Sequence, residues 1–156
     1  MENLTEILDL QNMGVFLIDM AIAILVGILV GHERHVSGKI MGKRSTIILI
    51  VGSFLFTYAS VHVGIDHGRV IAQIVTGVGF IGAGIIFKKG DKDIFNLTTA
   101  ILVWTMAAIG VLIGLNMWIE AAISSLVVYF VLHTKNVKEK ISENKNGTKE
   151  EKEDDV

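Results

Sequence analysis

An acidic side chain inside a long apolar run is the feature of this sequence most able to do chemistry. Asp19 lies in such a run, and Glu33 follows it on the same helical face. An ionised group inside a bilayer costs roughly 2.5 to 3.5 kcal/mol on insertion scales, so it is a candidate site by default. One interpretation is that Asp19 is buried and binds a cation or a proton, or pairs with a polar neighbour such as Gln73. Alternatively, it lies among the outer headgroups and ends its helix.

Three other polar residues could contribute to an ion path with Asp19, but they do not form a recognisable binding motif. Gln73, Thr76 and Glu120 would join Asp19 along any ion path. Mg²⁺ prefers oxygen ligands, and Asp19, Asp66 and Glu120 could all face external water, so Mg²⁺ binding is the one cofactor hypothesis. The sequence shows no catalytic arrangement and no zinc spacing among its histidines. We therefore predict neither an enzyme nor a nucleic-acid partner.

The segment that contains Gln73 shows which elements must position these side chains. Residues 76–84 are TGVGFIGAG and match GxGxxG, a nucleotide-binding pattern that works only where a strand ends and a helix begins. From Val70 to Phe87, however, no residue carries a formal charge, and 51% of the whole chain is hydrophobic. The segment is predicted to be a membrane span, and the fold class an all-α transmembrane helix bundle in a lipid bilayer.

Five short spans are predicted, at residues 14–32, 46–64, 69–87, 97–115 and 117–134. Residues 1–13 are expected to form an amphipathic segment on the outer surface, and residues 135–156 a charged, disordered cytoplasmic tail. Of the 14 lysines and arginines, all except Arg69 lie in the first connection, the third connection or the tail. Because basic loops stay cytoplasmic, the N-terminus should be outside and the C-terminus inside.

The boundary between the last two spans depends on two residues. Asn116 and Met117 are the only turn residues before Trp118. One fused helix would place Glu120 in the middle of its path, whereas a tight outer hairpin puts Trp118 and Glu120 near the membrane interface. We predict the hairpin.

Glycines are expected to set the packing of the spans, because helices in lipid associate through close contact between small residues. The third span carries Gly77 and Gly84 on one face and Gly79 and Gly82 on roughly the opposite one. It is therefore predicted to be clasped from both sides. Two glycine pairs are the candidate contacts for these faces. Gly27 and Gly31 lie in the first span, and Gly110 and Gly114 lie in the fourth.

Four blocks of the sequence resemble, in order and with similar spacing, the conserved motifs of the MgtC/SapB family of bacterial membrane proteins. They are LVGILVGHERH, KRSTIILIVGSFLFTYAS, AQIVTGVGFIGAGIIFKKG and LTTAILVWTMAAIGVLIGL. The resemblance implies a small helical protein of the bacterial inner membrane, linked to growth under magnesium limitation and, in pathogens, to survival inside host cells. The founding member looks like an inhibitor of the F-type ATP synthase rather than a magnesium pump.

The resemblance also has gaps. This chain has Phe95 and Asn96 where relatives usually have Arg-Gly, and Thr46 where they often have histidine. A mechanism that requires that arginine or histidine is therefore in doubt for this chain. After His133 only a short polar segment remains. Functions of the soluble C-terminal domain found in the virulence members are accordingly not expected.

The inner ends of the spans carry a second group of polar residues. Glu33, Arg34 and Arg44, which match charged positions of the family, are expected to form an ion-pair network; alternatively, the arginines bind lipid phosphates. Thr98 and Thr99, just past Asn96, are predicted to cap the cytoplasmic start of the fourth helix.

Two classes of function follow from these features. In the first, the chain is a regulatory or accessory membrane protein whose glycine faces bind copies of itself or another membrane complex. In the second, it is a small oligomeric transporter or channel for Mg²⁺ or protons, lined by Asp19, Gln73 and Glu120. We prefer the first, because the family resemblance favours it and intramembrane charge is sparse.

Overall fold

The computed structural model describes residues 2–36, 41–64, 66–89 and 93–133. These residues form five helices: α1 (Glu2–Val36), α2 (Lys43–His62), α3 (His67–Ile85), α4 (Leu97–Gly114) and α5 (Trp118–His133). The predicted all-α bundle is confirmed. One local addition is a short antiparallel hairpin between α3 and α4, formed by β1 (Phe87–Lys89) and β2 (Asp93–Phe95). The predicted tail, residues 135–156, lies outside the described residues.

Four helices are long and apolar enough to cross a membrane. They are the part of α1 from Gln11 to Arg34, and the whole of α2, α3 and α4. α1 begins at Glu2, so the segment predicted to lie on the surface at residues 1–13 is continuous with the first span.

α5 is apolar but shorter, about 24 Å long at 1.5 Å per residue. Two contacts show that it runs beside α1 in the same direction. The indole of Trp118, at the start of α5, donates to Asp19, and the imidazole of His133, at its end, lies 3.9 Å from the carboxylate of Glu33. α5 therefore covers the same depth as the part of α1 between these two acids, as the prediction of five short spans requires.

α2 lies between α1 and α4, and α1 approaches it through two glycines. A Cβ atom placed on Gly27 would lie 2.8 Å from the Cα of Ile47, and one placed on Gly31 would lie 2.7 Å from the Cα of Lys43. Real Cβ atoms do not approach a backbone so closely. The two helices can therefore keep this separation only with hydrogen at both positions.

α4 approaches the other side of α2 in the same way. A Cβ atom on Gly110 would overlap the carbonyl oxygen of Ile50, and one on Gly114 would lie 2.6 Å from the Cβ of Thr57. α2 is thus held from both sides by a pair of glycines spaced four residues apart. The buried side chains around it, which include Val30, Ile50, Phe54, Met106 and Ile113, form the core of the bundle.

The predicted clasp around the third span is therefore wrong, because both glycine pairs contact α2. α3 packs at the edge of the bundle, where Gly82 lies against the carbonyl oxygen of Ala100 in α4. A Cβ atom on Gly77, Gly79 or Gly84 would meet no atom of the described residues within 4 Å. The sequence shows which helices can approach a neighbour closely, but not which neighbour each of them meets.

The turn between α4 and α5 matches the prediction of a break at Asn116 and Met117. Asn116 adopts the left-handed conformation, with φ 59°. Its N–H donates to the carbonyl of Ile113, and the N–H of Met117 donates to that of Leu112, both at 2.9 Å. This pair of bonds is the Schellman arrangement that ends many helices. It makes Trp118 the first residue of α5.

Replacing Gly110 by alanine is expected to destabilise the protein by about 1 to 3 kcal/mol, because the added methyl group overlaps the α2 backbone. Gly52→Ala is the matched control, since Gly52 lies in a helix but has no neighbour within 4 Å of an added Cβ among the described residues. Thermal unfolding in detergent measures both variants. Equal losses in the two would contradict the proposed role of glycine packing.

Candidate functional site

Asp19 is fully buried, with 0% of its surface exposed, on the face of α1 that also carries Ala23 and Val30. α1 continues without a break to Val36, so the expectation that Asp19 ends its helix is wrong. The predicted pairing with Gln73 is also absent. Instead, the indole Nε1 of Trp118 donates a hydrogen bond of 2.7 Å to Oδ1 of Asp19.

The second oxygen of this carboxyl group is unusual. Oδ2 of Asp19 is buried and has no hydrogen-bond partner among the described residues. A buried acceptor that lacks a donor costs about 1 to 3 kcal/mol, and an ionised oxygen costs more. The site therefore holds one satisfied and one unsatisfied oxygen inside a helix that is apolar enough to cross a membrane.

A polar chamber lies at the same end of the bundle, where α1, α2 and the turn before α5 meet. It has a volume of about 340 Å³, and we refer to it as the vestibule. Its lining residues are Asn12, Val15, Tyr58, His62, Asn116 and Trp118. The ring of His62 stacks on that of Tyr58, with centroids 3.8 Å apart. Because Trp118 lines the vestibule and also donates to Asp19, its indole connects the two.

The other residues predicted for an ion path are not brought to Asp19. Gln73 and Thr76 are exposed on α3, and the hydroxyl of Thr76 donates to the carbonyl of Ala72 in its own helix. Glu120 is exposed near the start of α5. The predicted path is therefore not assembled within one chain.

The proposed carboxylate cluster of Asp19, Asp66 and Glu120 is not assembled either. The side chain of Asp66 accepts from the backbone N–H of Arg69 and so caps the start of α3. Within the ranges that the structure describes, no three His, Asp or Glu side chains are placed to hold a metal ion.

At the opposite end of α1, a buried arginine joins α1 to α4. Nη2 of Arg34 donates to the hydroxyl of Thr99 at 2.5 Å, and both side chains are buried. Glu33, beside it, lies near His133 of α5. Arg44 is exposed, and within the part of the chain that the structure describes it forms no ion pair with Glu33, so the predicted network is wrong in that member. Its two buried members instead tie α1 to α4 and α5.

The start of α4 differs from the prediction. Thr99 accepts from Arg34, and Thr98 is exposed, so the prediction that they cap the helix is wrong. The N-cap residue is Asn96, which has φ 63° and donates its side-chain amide to the carbonyl of Ile85 at 3.4 Å. Asparagine tolerates this left-handed conformation better than other non-glycine residues. That tolerance explains how Asn96 stands where the resemblance places glycine.

Sequence reasoning missed the partnership of Trp118 with Asp19, although a signal for it existed. An indole N–H at the edge of an apolar region usually finds an acceptor, and a buried carboxylate needs donors. Asp19 and Trp118 were both predicted to lie near the outer membrane surface. The sequence alone, however, does not show how α1 and α5 are aligned with each other.

Sequence comparison with known proteins identifies bacterial relatives of this chain. A family model described as the MgtC family matches residues 20–141. The chain is 39% identical over 131 residues to "Putative magnesium transporter YhiD" of Escherichia coli strain K12. The aligned region covers 76% of this chain and 60% of that protein. It is 34% identical over 122 residues to Protein SapB of Bacillus subtilis strain 168, covering 72% and 53% of the two chains.

A third relative is Protein MgtC of Salmonella typhimurium strain LT2. The identity is 34% over 114 residues, covering 72% of this chain and 49% of that protein. The chain thus spans about half to three fifths of the length of these relatives. No solved structure matches it significantly.

Thr99→Val is expected to destabilise the protein by about 1 to 3 kcal/mol, because the buried guanidinium of Arg34 loses its acceptor while the shape of the side chain is kept. Thr98→Val, one residue away and exposed, should change stability by less than about 0.5 kcal/mol. Denaturation in detergent provides the measurement. Similar effects for the two variants would show that the Arg34 contact does not stabilise the bundle.

Proposed function

The chain belongs to the MgtC family, and we propose that it is an accessory protein of the bacterial inner membrane that acts in adaptation to scarce magnesium. Its role is non-catalytic and depends on contact between helices rather than on ion transport. The link to magnesium rests on similarity to a relative that is named as a magnesium transporter. The apolar helices and the bacterial sources of the relatives support the location.

The observation that carries this proposal is the exposed glycine face of α3. A Cβ atom on Gly77 or Gly84 would meet no atom of the described residues within 4 Å, and Phe80, which lies between them on this face, is 84% exposed. Each glycine within a helix costs about 0.5 to 1 kcal/mol relative to alanine. Two such residues on one face, with no packing role inside the monomer, are best explained by a helix from another molecule.

We assign a second copy of this chain to that face. Phe80 projects from α3 with Gly77 and Gly84 about one turn away on either side, so a projecting ring lies next to two notches. Two copies related by a two-fold axis along the membrane normal would each place the ring against the notches of the other. An apolar groove of about 490 Å³ between α2 and α3, which Gly77 and Ile81 help to line, provides further room.

The orientation within the membrane follows from charge. Basic residues gather in the first and third connections and in the tail, so these segments belong on the cytoplasmic side. Under this proposal, the vestibule faces outside and the contact between Arg34 and Thr99 lies at the inner surface.

Ion transport is the second candidate function, and the buried carboxyl group of Asp19 is the observation that favours it. A path through a single chain is difficult, because Gln73 and Glu120 lie on the outside of the bundle. Transport would therefore require an assembly in which α3 lies near the axis.

Flux measurements on liposomes that contain the purified protein separate the two functions. We expect no Mg²⁺ or proton movement above that of liposomes without protein, because one chain assembles no polar path. Asp19→Asn is the matched variant, since it keeps the shape of the side chain and removes its charge. Flux in the unmodified protein that Asp19→Asn abolishes would establish the transporter and overturn the accessory role.

Cross-linking tests the assigned partner. The chain contains no cysteine, so a single introduced thiol reports one position. Gly77→Cys in bilayers should form a disulfide-linked dimer on oxidation, and Phe80→Ala in that background should reduce its yield. Gly79→Cys, on the other side of the same helix, is the matched control and should remain monomeric. Equal yields at the two positions, or cross-linking of Gly77→Cys to a different protein in native membranes, would overturn the second copy as partner.

A further inference from the structure

We propose that Asp19 is a proton-binding site, and that the neutral carboxyl group, which needs no hydration at its buried Oδ2, allows the start of α5 to pack against α1. This inference does not depend on the assembly through α3. It concerns a different face of the bundle and a group that the proposed function does not use.

The hydrogen bonds made by the Asp19 carboxyl group favour a proton as its ligand. Asp19 has no exposed surface, one neutral donor at Oδ1, and no partner at Oδ2 among the described residues. An ionised carboxylate in such a place loses its hydration without gaining a charged partner. A protonated group leaves only one neutral O–H unpaired, which is less costly than an unpaired charge. The neutral acid is therefore the form that fits the site as it is built.

A metal ion fits this site less well than a proton. Mg²⁺ and Ca²⁺ take six or more oxygen ligands. The described part of the chain brings no group of three acidic or histidine side chains together, and the free oxygen of Asp19 is buried in an apolar helix face. A proton needs only one oxygen and no added volume.

The vestibule is the route by which the proton arrives. Its polar lining includes Asn12, Asn116 and His62, and the indole of Trp118 extends from it to Asp19. Water in the vestibule transfers a proton to the carboxylate, forming one O–H bond and leaving hydroxide to the solvent. Loss of the proton creates a buried charge that is stabilised only if water follows from the vestibule. Because Trp118 lines the vestibule, contacts Asp19 and begins α5, we expect hydration of the carboxylate to displace that end of α5.

Few other groups near this site titrate. α4 contains no titratable side chain, and α1 contains none other than Asp19 between Gln11 and Gly31. The titratable side chains of α2 and α5 are Lys43, Arg44, Tyr58, His62, Glu120, Tyr129 and His133. Of these, Tyr58 and His62 line the vestibule, and Glu120 lies one turn or less from Trp118. His62 is the histidine that lines the vestibule, so it requires its own control.

Tryptophan fluorescence reports the linkage directly. The chain has two tryptophans, and Trp104 is exposed on α4, so Trp104→Phe leaves Trp118 as the single reporter. In nanodiscs, the emission maximum of Trp118 should stay at the same wavelength from mildly acidic to neutral pH and should move to longer wavelength at alkaline pH. Asp19→Asn, which keeps an oxygen for the indole but cannot ionise, should abolish the shift. His62→Gln should retain it.

Infrared spectroscopy provides the independent readout of the proton itself. The full-length protein at neutral pH should show a protonated carboxyl band that Asp19→Asn removes and that Trp118→Phe shifts without removing. If Asp19→Asn leaves the carboxyl region unchanged, Asp19 is ionised and the proton site is overturned. If the fluorescence shift persists in Asp19→Asn, or is absent when Asp19 is present, the linkage to α5 is overturned.

Discussion

Close approach of α1 and α4 to the backbone of α2 is the constraint on which this structure depends. Lipid supplies no hydrophobic drive for helices to associate, so their contact must come from van der Waals packing at short range. Gly27 and Gly31 on one side, and Gly110 and Gly114 on the other, leave no space for a side chain. The apolar side chains beside these contacts, such as Phe54, then fill the core.

Polar contacts at two levels of α1 complete the arrangement that the glycines begin. Near the middle of the helix, Trp118 donates to Asp19, and near its C-terminal end, Arg34 donates to Thr99. Each contact joins α1 to a helix that its glycines do not contact: α5 through Trp118 and α4 through Thr99. In an apolar environment an unpaired polar group is costly, so each pair also restricts the register of the helices that contribute to it.

α3 is built differently from the rest of the bundle. It meets α4 at Gly82, and its remaining glycines and Phe80 face outward. The inner helices thus use their glycines within the monomer, whereas α3 leaves three of its glycines open to a neighbour. This division separates the part of the chain that maintains the fold from the part that we propose acts on other molecules. The carboxyl group of Asp19 lies in the first part, where we propose that its protonation state affects the packing of α5.

The sequence by itself determined the spans, the break at Asn116 and the residues able to pack closely, because each depends on local hydropathy, turn chemistry or side-chain size. The family also followed from motifs in the sequence. Only the tertiary structure decided that the glycine pairs contact α2, that Asp19 meets Trp118 and that Arg44 remains outside the network. These facts depend on which helices are neighbours and on their relative register. Neither is encoded in a single helix, since a small residue or a polar group is compatible with several partners until the whole bundle packs.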